Sequence, residues 1–298
     1  MRNIIYGVGV NFEEYVISTE HALEDVTALI DKSESMQGRS VEGITVFAPT
    51  ELPKLEYDYI FVSSLKYYES IRTELLALGC EGEKIKRLEY KKTKYSGELA
   101  YWRKVYRAEN GIFQNSFYKD IFLGISNETS DSFMKNKVIA DFGCGPRGSL
   151  AWTDAPKVKI GIDVLANQYM RYFADSMSKH GMIYLNSDEY KIPLPDNYVD
   201  IISTINSLDH VSVLDNMVEE ILRVLKPGGA FLGSFNLNEP STQCEPQTLT
   251  EELLNNKLFS RLNVLEKRIA RKGEKYSYSE IVAGRLVETI WLFWHECG

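Results

Sequence analysis

The segment VIADFGCGPRGSL at 138–150 constrains this chain more than any other stretch. An apolar run leads through Asp141 into Gly143, Gly145 and Gly148, spaced G-x-G-x-x-G, and then into residues that can begin a helix. A glycine turn at the end of a strand belongs to a parallel α/β sheet, where glycines let backbone N–H groups approach a ligand and let the next helix pack closely. Asp163 follows about twenty residues later, where a carboxylate can take ribose hydroxyls. The pattern therefore points to a nucleoside-containing cofactor; a ligand-free glycine-rich turn is the plain alternative.

Buried-strand patterns recur at 138–142, 158–162, 182–185, 199–205 and 229–235, separated by connections long enough for helices. Such alternation predicts a mainly parallel sheet covered on both faces, a doubly wound Rossmann-like fold. Apolar runs at 262–269 and 287–294 read as two closing strands around a charged, Tyr-rich stretch. Before this lies a smaller Rossmann-like α/β unit, with strands expected at 3–10, 26–30, 44–48 and 58–63 and a helix over 65–79. Between the two, Leu99, Trp102, Val105 and Tyr106, then Phe117, Ile121 and Phe122, recur at helical spacing. The expected organisation is an accessory domain at 1–92, a helical connector or lid at 93–135 and a catalytic domain at 136–298.

Charge excludes some functions. With 42 acidic against 34 basic residues the formal charge is −8, which repels phosphate backbones, so nucleic acid is not expected as a partner. Cys80, Cys144, Cys244 and Cys297 lie far apart without a C-x-x-C pair or a nearby His, signalling neither a disulfide framework nor a metal site. No cationic leader precedes the first strand and no apolar run is long enough for a membrane span, so a cytoplasmic protein without membrane association is expected.

The identity of the cofactor turns on Asp141. In a dinucleotide site a pyrophosphate sits at the helix N-terminus, and a carboxylate two residues before the first glycine would face it across poorly screened space. S-adenosylmethionine carries no phosphate, and its ammonium and sulfonium would be attracted by the same carboxylate. At this point a resemblance becomes specific: 138–235 resembles a class I S-adenosylmethionine-dependent methyltransferase. VIADFGCGPRGSL is similar to the first motif of that family, GIDVLANQY to the second, SDEYKIPLPDNYVDIISTINSLDHV to the third and fourth, and LRVLKPGGAFLGSF to the fifth.

The resemblance implies that Asp141, Gly143, Cys144, Gly145 and Gly148 surround the methionine part of S-adenosylmethionine and that Asp163 holds the ribose diol. It implies that Asp188 accepts the adenine amino group, that the Glu189 N–H addresses the neighbouring ring nitrogen, and that Asn206 and Ser207 line the methionine side. Arg147, standing where many members of the family have glycine, either meets a carboxylate of donor or acceptor or is a solvated turn residue. His210, with Asp209 beside it, is the best-placed general base on the identity such chemistry prefers; packing against the cofactor is the alternative. His21 and His180 read as surface or turn residues and His295 as an end cap. The aromatics Tyr101, Trp102, Tyr106, Phe113, Phe117 and Tyr118 fit either a lid or, preferably, a packed helical face.

The amino-terminal run IIYGVGVNFEEY begins like a second nucleotide-binding turn, but Phe12 stands at the third glycine position. This unit loosely resembles the accessory domains of sugar-nucleotide and surface-polysaccharide enzymes, implying either acceptor recognition or a degenerate fold serving dimerisation or lid support. The resulting expectation is a methyltransferase acting on oxygen or nitrogen of a small molecule or a sugar or glycan precursor, with a homodimer as one arrangement. An NAD-dependent oxidoreductase and a cofactor-binding regulatory protein without turnover are the alternatives.

Overall fold

A computed structural model describes residues 1–19, 21–91, 93–270 and 289–295, the side chains of 269, 270 and 289–295 excepted. The chain divides into two compact units, Met1–Val105 and Tyr106–Gly298, so the segment expected as a connector is shared between them. Cys297 and the Tyr-rich stretch lie outside the described residues.

The first unit runs β1 (Asn3–Tyr6), α1 (Val10–Ser18), β2 (Val26–Ile30), β3 (Ser40–Val41), β4 (Ile44–Phe47), β5 (Tyr59–Val62), α2 (Tyr68–Ala77), β6 (Ile85–Arg87) and most of α3 (Lys94–Ala108). Its sheet order is β3-β4-β2-β1-β5-β6, parallel except for the β3–β4 pair. Alternate residues of β1 feed opposite cores: Ile4 and Tyr6 pack with Ile60, Ile71 and Leu75, whereas Ile5 packs with Phe12 and Leu29. The strand expected to reach residue 10 stops at Tyr6, because Gly7 turns the chain at φ +96°.

The second unit runs α4 (Tyr118–Ser126), β7 (Val138–Phe142), β8 (Val158–Asp163), α5 (Ala166–Met177), β9 (Ile183–Asn186), β10 (Val199–Ile205), α6 (Leu214–Val224), β11 (Leu225–Asn236), α7 (Glu251–Lys257), β12 (Asn263–Ala270) and β13 (Thr289–His295). The sheet order is β12-β13-β11-β10-β7-β8-β9. All neighbours from β9 to β11 are parallel, while β13 runs antiparallel to both β11 and β12. This is an open Rossmann-like sheet whose chain order reverses between β7 and β10, the switch point at which such sheets bind ligands.

Both faces are covered as the apolar alternation predicts. On one, Ala140, Ile202 and Phe231 pack under Met217, Val218, Ile221 and Val224, the apolar stripe of α6. On the other, Ile139, Ile201 and Leu232 pack under Ile121, Phe122 and Ile125 of α4. Sheet cover is thus the part played by α4. Two connections expected to be helical are not: 143–157 and 187–198 contain no α-helix. Pro146 and Pro156 in the first, and Pro193 and Pro195 in the second, remove amide donors and clash with a preceding helical turn, and three glycines weaken the first further.

Candidate active site

β7 delivers the chain to the middle of the sheet, between β8 and β10. Gly143 follows with φ +69°, and a Cβ built there would lie 2.2 Å from the Ser207 Cβ. Gly148 has φ +80°, and a Cβ there would lie 2.5 Å from the His180 ring. Both positions require glycine for a left-handed backbone and for the chain's own packing. Gly145 also has a positive φ, +56°. Its N–H donates to Asp163 Oδ2 at 3.0 Å, while Asp163 Oδ1 accepts from the Leu165 N–H at 2.9 Å. Asp163 therefore clamps the glycine turn to the start of α5. Cys144 is buried, with its sulfur 2.8 Å from where a Gly161 Cβ would be, and burial holds its thiol well above the usual range.

Asp141 is the electrostatic centre of this turn. The register Asp141↔Ser203 sets the Ser203 hydroxyl 2.6 Å from Asp141 Oδ1, and the Ser149 hydroxyl donates to Oδ2. The carboxyl is only 2% exposed. Burial pushes its pKa up to about 6; the two hydroxyls pull it down by less, and the Asp163 charge adds to the rise. Ser203 was not legible as a partner in the sequence, because that required knowing that β10 lies beside β7, whereas Ser149 lies eight residues from Asp141 in the same segment and is brought to it by the path of the glycine turn.

His180 corrects its expected place on the surface. It is buried beneath Gly148, Nδ1 lies 2.6 Å from the Tyr184 hydroxyl, and burial together with Lys159 lowers its pKa to about 4. The imidazole is neutral at pH 7 and supports the turn from below. Arg147 is not a solvated turn residue either, since its side chain is 16% exposed. The guanidinium pairs with Glu109, donates to the Gln114 carbonyl at 3.0 Å and lies 5.3 Å from the Phe117 ring centre. In return Asn115 Nδ2 donates to the Arg147 carbonyl at 3.1 Å. These contacts tie 109–117 to the glycine turn.

Among the aromatics, Tyr106 and Phe113 pack with Phe173 of α5 at 5.0–5.2 Å between centroids, whereas Tyr101 is exposed. Phe117 stacks on Tyr118 at 4.5 Å, and Trp102 donates to Glu98 at 2.8 Å.

At the carboxyl end of β9, Asp188 accepts the Tyr190 and Lys191 N–H groups on Oδ1 at 2.7 and 2.6 Å, which shapes the turn. Glu189 Oε2 accepts the Ser212 N–H at 3.1 Å. At the end of β10, Asn206 turns left-handed at φ +49° and accepts the Ser234 hydroxyl at 2.8 Å. Ser207 donates to the Phe142 carbonyl at 2.8 Å, joining the two strand ends.

Asp209 and His210 follow in the short helical turn Leu208–His210. His210 Nε2 lies 3.9 Å from Asp209 Oδ1 and 3.7 Å from Glu245 Oε1, so neither carboxylate is within hydrogen-bond reach of that nitrogen. Glu245 comes from the loop before α7 and had no sequence signal linking it to His210. Burial raises the Asp209 carboxyl above the usual range; His210 opposes this, and Glu245 and Glu239 reinforce it.

Residues 140–233 match the family model described as methyltransferase domain, and residues 1–86 match the one described as C2185-like, N-terminal. A ubiquinone/menaquinone biosynthesis C-methyltransferase, UbiE, of Stutzerimonas stutzeri strain A1501 is 29% identical over 136 residues, covering 45% of this chain and 48% of that protein. UbiE of Neisseria meningitidis serogroup C is 35% identical over 106 residues, 35% of this chain and 40% of its own. This chain thus spans about half the length, or less, of these curated relatives. A crystal structure of a SAM-dependent methyltransferase from Aquifex aeolicus superposes with a TM-score of 0.46 at 17% identity, covering 66% of this chain and 97% of that one.

Proposed function

We propose that this protein is an S-adenosylmethionine-dependent methyltransferase with a small-molecule acceptor. The observation that carries the reading is Asp141: a buried carboxyl braced by two hydroxyls at the switch point, matched to a cationic ligand. The matched methyltransferase-domain segment includes it. S-adenosylmethionine, when bound, supplies a methyl group already activated by its sulfonium. The residues on hand suit it in kind: Asp163 takes the ribose hydroxyls, Asp188 the adenine amino group through Oδ2, and the Glu189 N–H the ring nitrogen beside it. Asp141, Gly143, Cys144, Gly145, Gly148, Asn206 and Ser207 form the methionine side. Arg147 positions the 109–117 segment over the turn.

A pyrophosphate cofactor is disfavoured by the same geometry. No helix follows the glycine turn, so the positive helix end that would receive a phosphate is missing from that position. The amino-terminal unit spends its corresponding amide on itself, since the Val8 N–H donates to Asp31 Oδ2 at 2.9 Å, and Phe12 is fully buried at the third glycine position. That unit is a degenerate nucleotide fold, serving acceptor recognition or assembly without phosphate binding.

The acceptor's proton is handled by the group formed by Asp209, His210 and Glu245. Such a group suits an acceptor that must lose a proton, and we assign a hydroxyl oxygen of a sugar or glycan precursor, with nitrogen as the second choice. Transfer of a 13C-labelled methyl group tests this, because carbon shifts separate O-, N- and C-methyl products. A C-methyl product would align the chain with the reaction named for UbiE and overturn the oxygen assignment. The described residues include no helix long and apolar enough to cross a membrane. We place the protein in the cytoplasm, on the basis of the buried free thiols Cys80 and Cys144.

Asp163→Ala should weaken S-adenosylhomocysteine binding by about 1–3 kcal/mol, the scale of hydrogen bonds to a charged group. Unchanged affinity by isothermal titration would remove the ribose assignment. The pH dependence follows from Asp141. Its folded-state pKa of about 6 lies above the ordinary 3.8, so between these values the folded chain holds a proton that the unfolded chain has lost. The ligand-free fold therefore loses stability as pH rises through about 6 and a buried charge develops. A cationic ligand prefers that charge, so affinity should fall by up to about tenfold per pH unit below 6. Asp141→Asn should flatten the profile; an equally steep profile in that variant would place the titrating group elsewhere.

A further inference from the structure

We propose that Asp209, His210 and Glu245 form a binding site for one divalent cation where the Leu208–His210 turn meets the loop before α7. The function assigned to it, holding an acceptor oxygen, rests on the methyltransferase reading; the site itself does not. Their donor atoms all lie within 4.8 Å of one another. The separations from His210 Nε2, 3.9 and 3.7 Å, are too long for hydrogen bonds but suit ligands of one ion. Two donors each about 2.1 Å from a metal stand no more than about 4.2 Å apart.

A second observation points to the same ligand. Asp209 is 4% exposed, and its Oδ1, the atom nearest His210, has no hydrogen-bond partner. A buried carboxylate oxygen left in this state is costly unless a positive charge meets it. Asp209 and Glu245 bring two carboxylates to one place, Glu239 lies close enough to act on Asp209, and a dication offsets their negative charge.

The backbone holds the donors in place without an ion. The Glu245 N–H donates to Thr242 Oγ1 at 2.9 Å, the Gln247 N–H to the Asp209 carbonyl at 3.1 Å, and Gln247 Nε2 to the Val211 carbonyl at 3.0 Å. The loop that supplies Glu245 is thus pinned to the turn that supplies the other two. One imidazole and two carboxylates suit Mn²⁺, Fe²⁺ or Zn²⁺ better than an all-oxygen ion site would. Three protein donors leave coordination positions for water or an acceptor oxygen, and a bound cation lowers the pKa of such an oxygen.

The test uses the full chain, freed of metal with a chelator and titrated with Mn²⁺, following free ion by electron paramagnetic resonance and heat by calorimetry. The expected result is one saturable Mn²⁺ per chain, weakened at least tenfold in Glu245→Gln and in Asp209→Asn. Circular dichroism should show both variants folded, and S-adenosylhomocysteine affinity should match that of the unmodified protein. Absence of saturable Mn²⁺ binding, or equal affinity in the folded variants, overturns the site. Stoichiometric Mn²⁺ binding without S-adenosylhomocysteine binding would uphold the site while removing the methyltransferase reading.

Discussion

Replacing Gly143 with alanine is expected to disable the protein, lowering its stability by about 2–6 kcal/mol and abolishing S-adenosylhomocysteine binding. Two costs add. A non-glycine residue held at φ +69° carries about 1–3 kcal/mol of backbone strain. The new methyl group would also stand 2.2 Å from the Ser207 Cβ, and overpacking of a closed core costs about 1–3 kcal/mol more. Movement of Ser207 is resisted by its hydrogen bond to the Phe142 carbonyl and its contact with Thr204 at 2.6 Å. Denaturant midpoints of Gly143→Ala, Ser207→Gly and the double variant separate the two costs. The double variant should be more stable than the sum of the single changes predicts, because the clash is removed while the strain remains. Strict additivity would show that the two side-chain positions do not meet.

The second large effect is expected at His210. Alanine there should lower turnover by about 100-fold or more while leaving S-adenosylhomocysteine affinity unchanged, the signature of a group that acts on the acceptor's proton. His210 sits beyond Ser207 in the Leu208–His210 turn, so its removal leaves the Asp141 and Asp163 contacts in place. Turnover measured with the acceptor found by methyl labelling decides the matter. Full activity in His210→Ala would reduce the residue to packing, whereas a parallel loss of donor affinity would move it to the cofactor.

Much of the second unit could be read from local pattern. Parallel strands buried on both faces declare themselves as short apolar runs, and β7, β8, β9 and β10 lie within a residue or two of their expected bounds. β3 and β6, with two and three residues, are too short to carry a period. The missing helices after β7 and β9 show the limit of spacing arguments. A connection of helical length predicts a helix only if its residues can donate the required hydrogen bonds, and the prolines in 143–157 and 187–198 cannot.

The candidate site divides in the same way. Asp141, the glycines and Asp163 lie within one strand–turn–strand segment, so sequence alone determined that a carboxylate and a left-handed turn would meet at a strand end. Tertiary structure alone decided what surrounds them. Ser203 reaches Asp141 because β10 pairs beside β7, His180 fills the space under Gly148, Arg147 turns toward Glu109, and Glu245 arrives beside His210 on a distant loop. The physical reason is one of range: backbone conformation and strand burial are set by neighbours along the chain, whereas partners for a buried charge are set by which strands lie side by side.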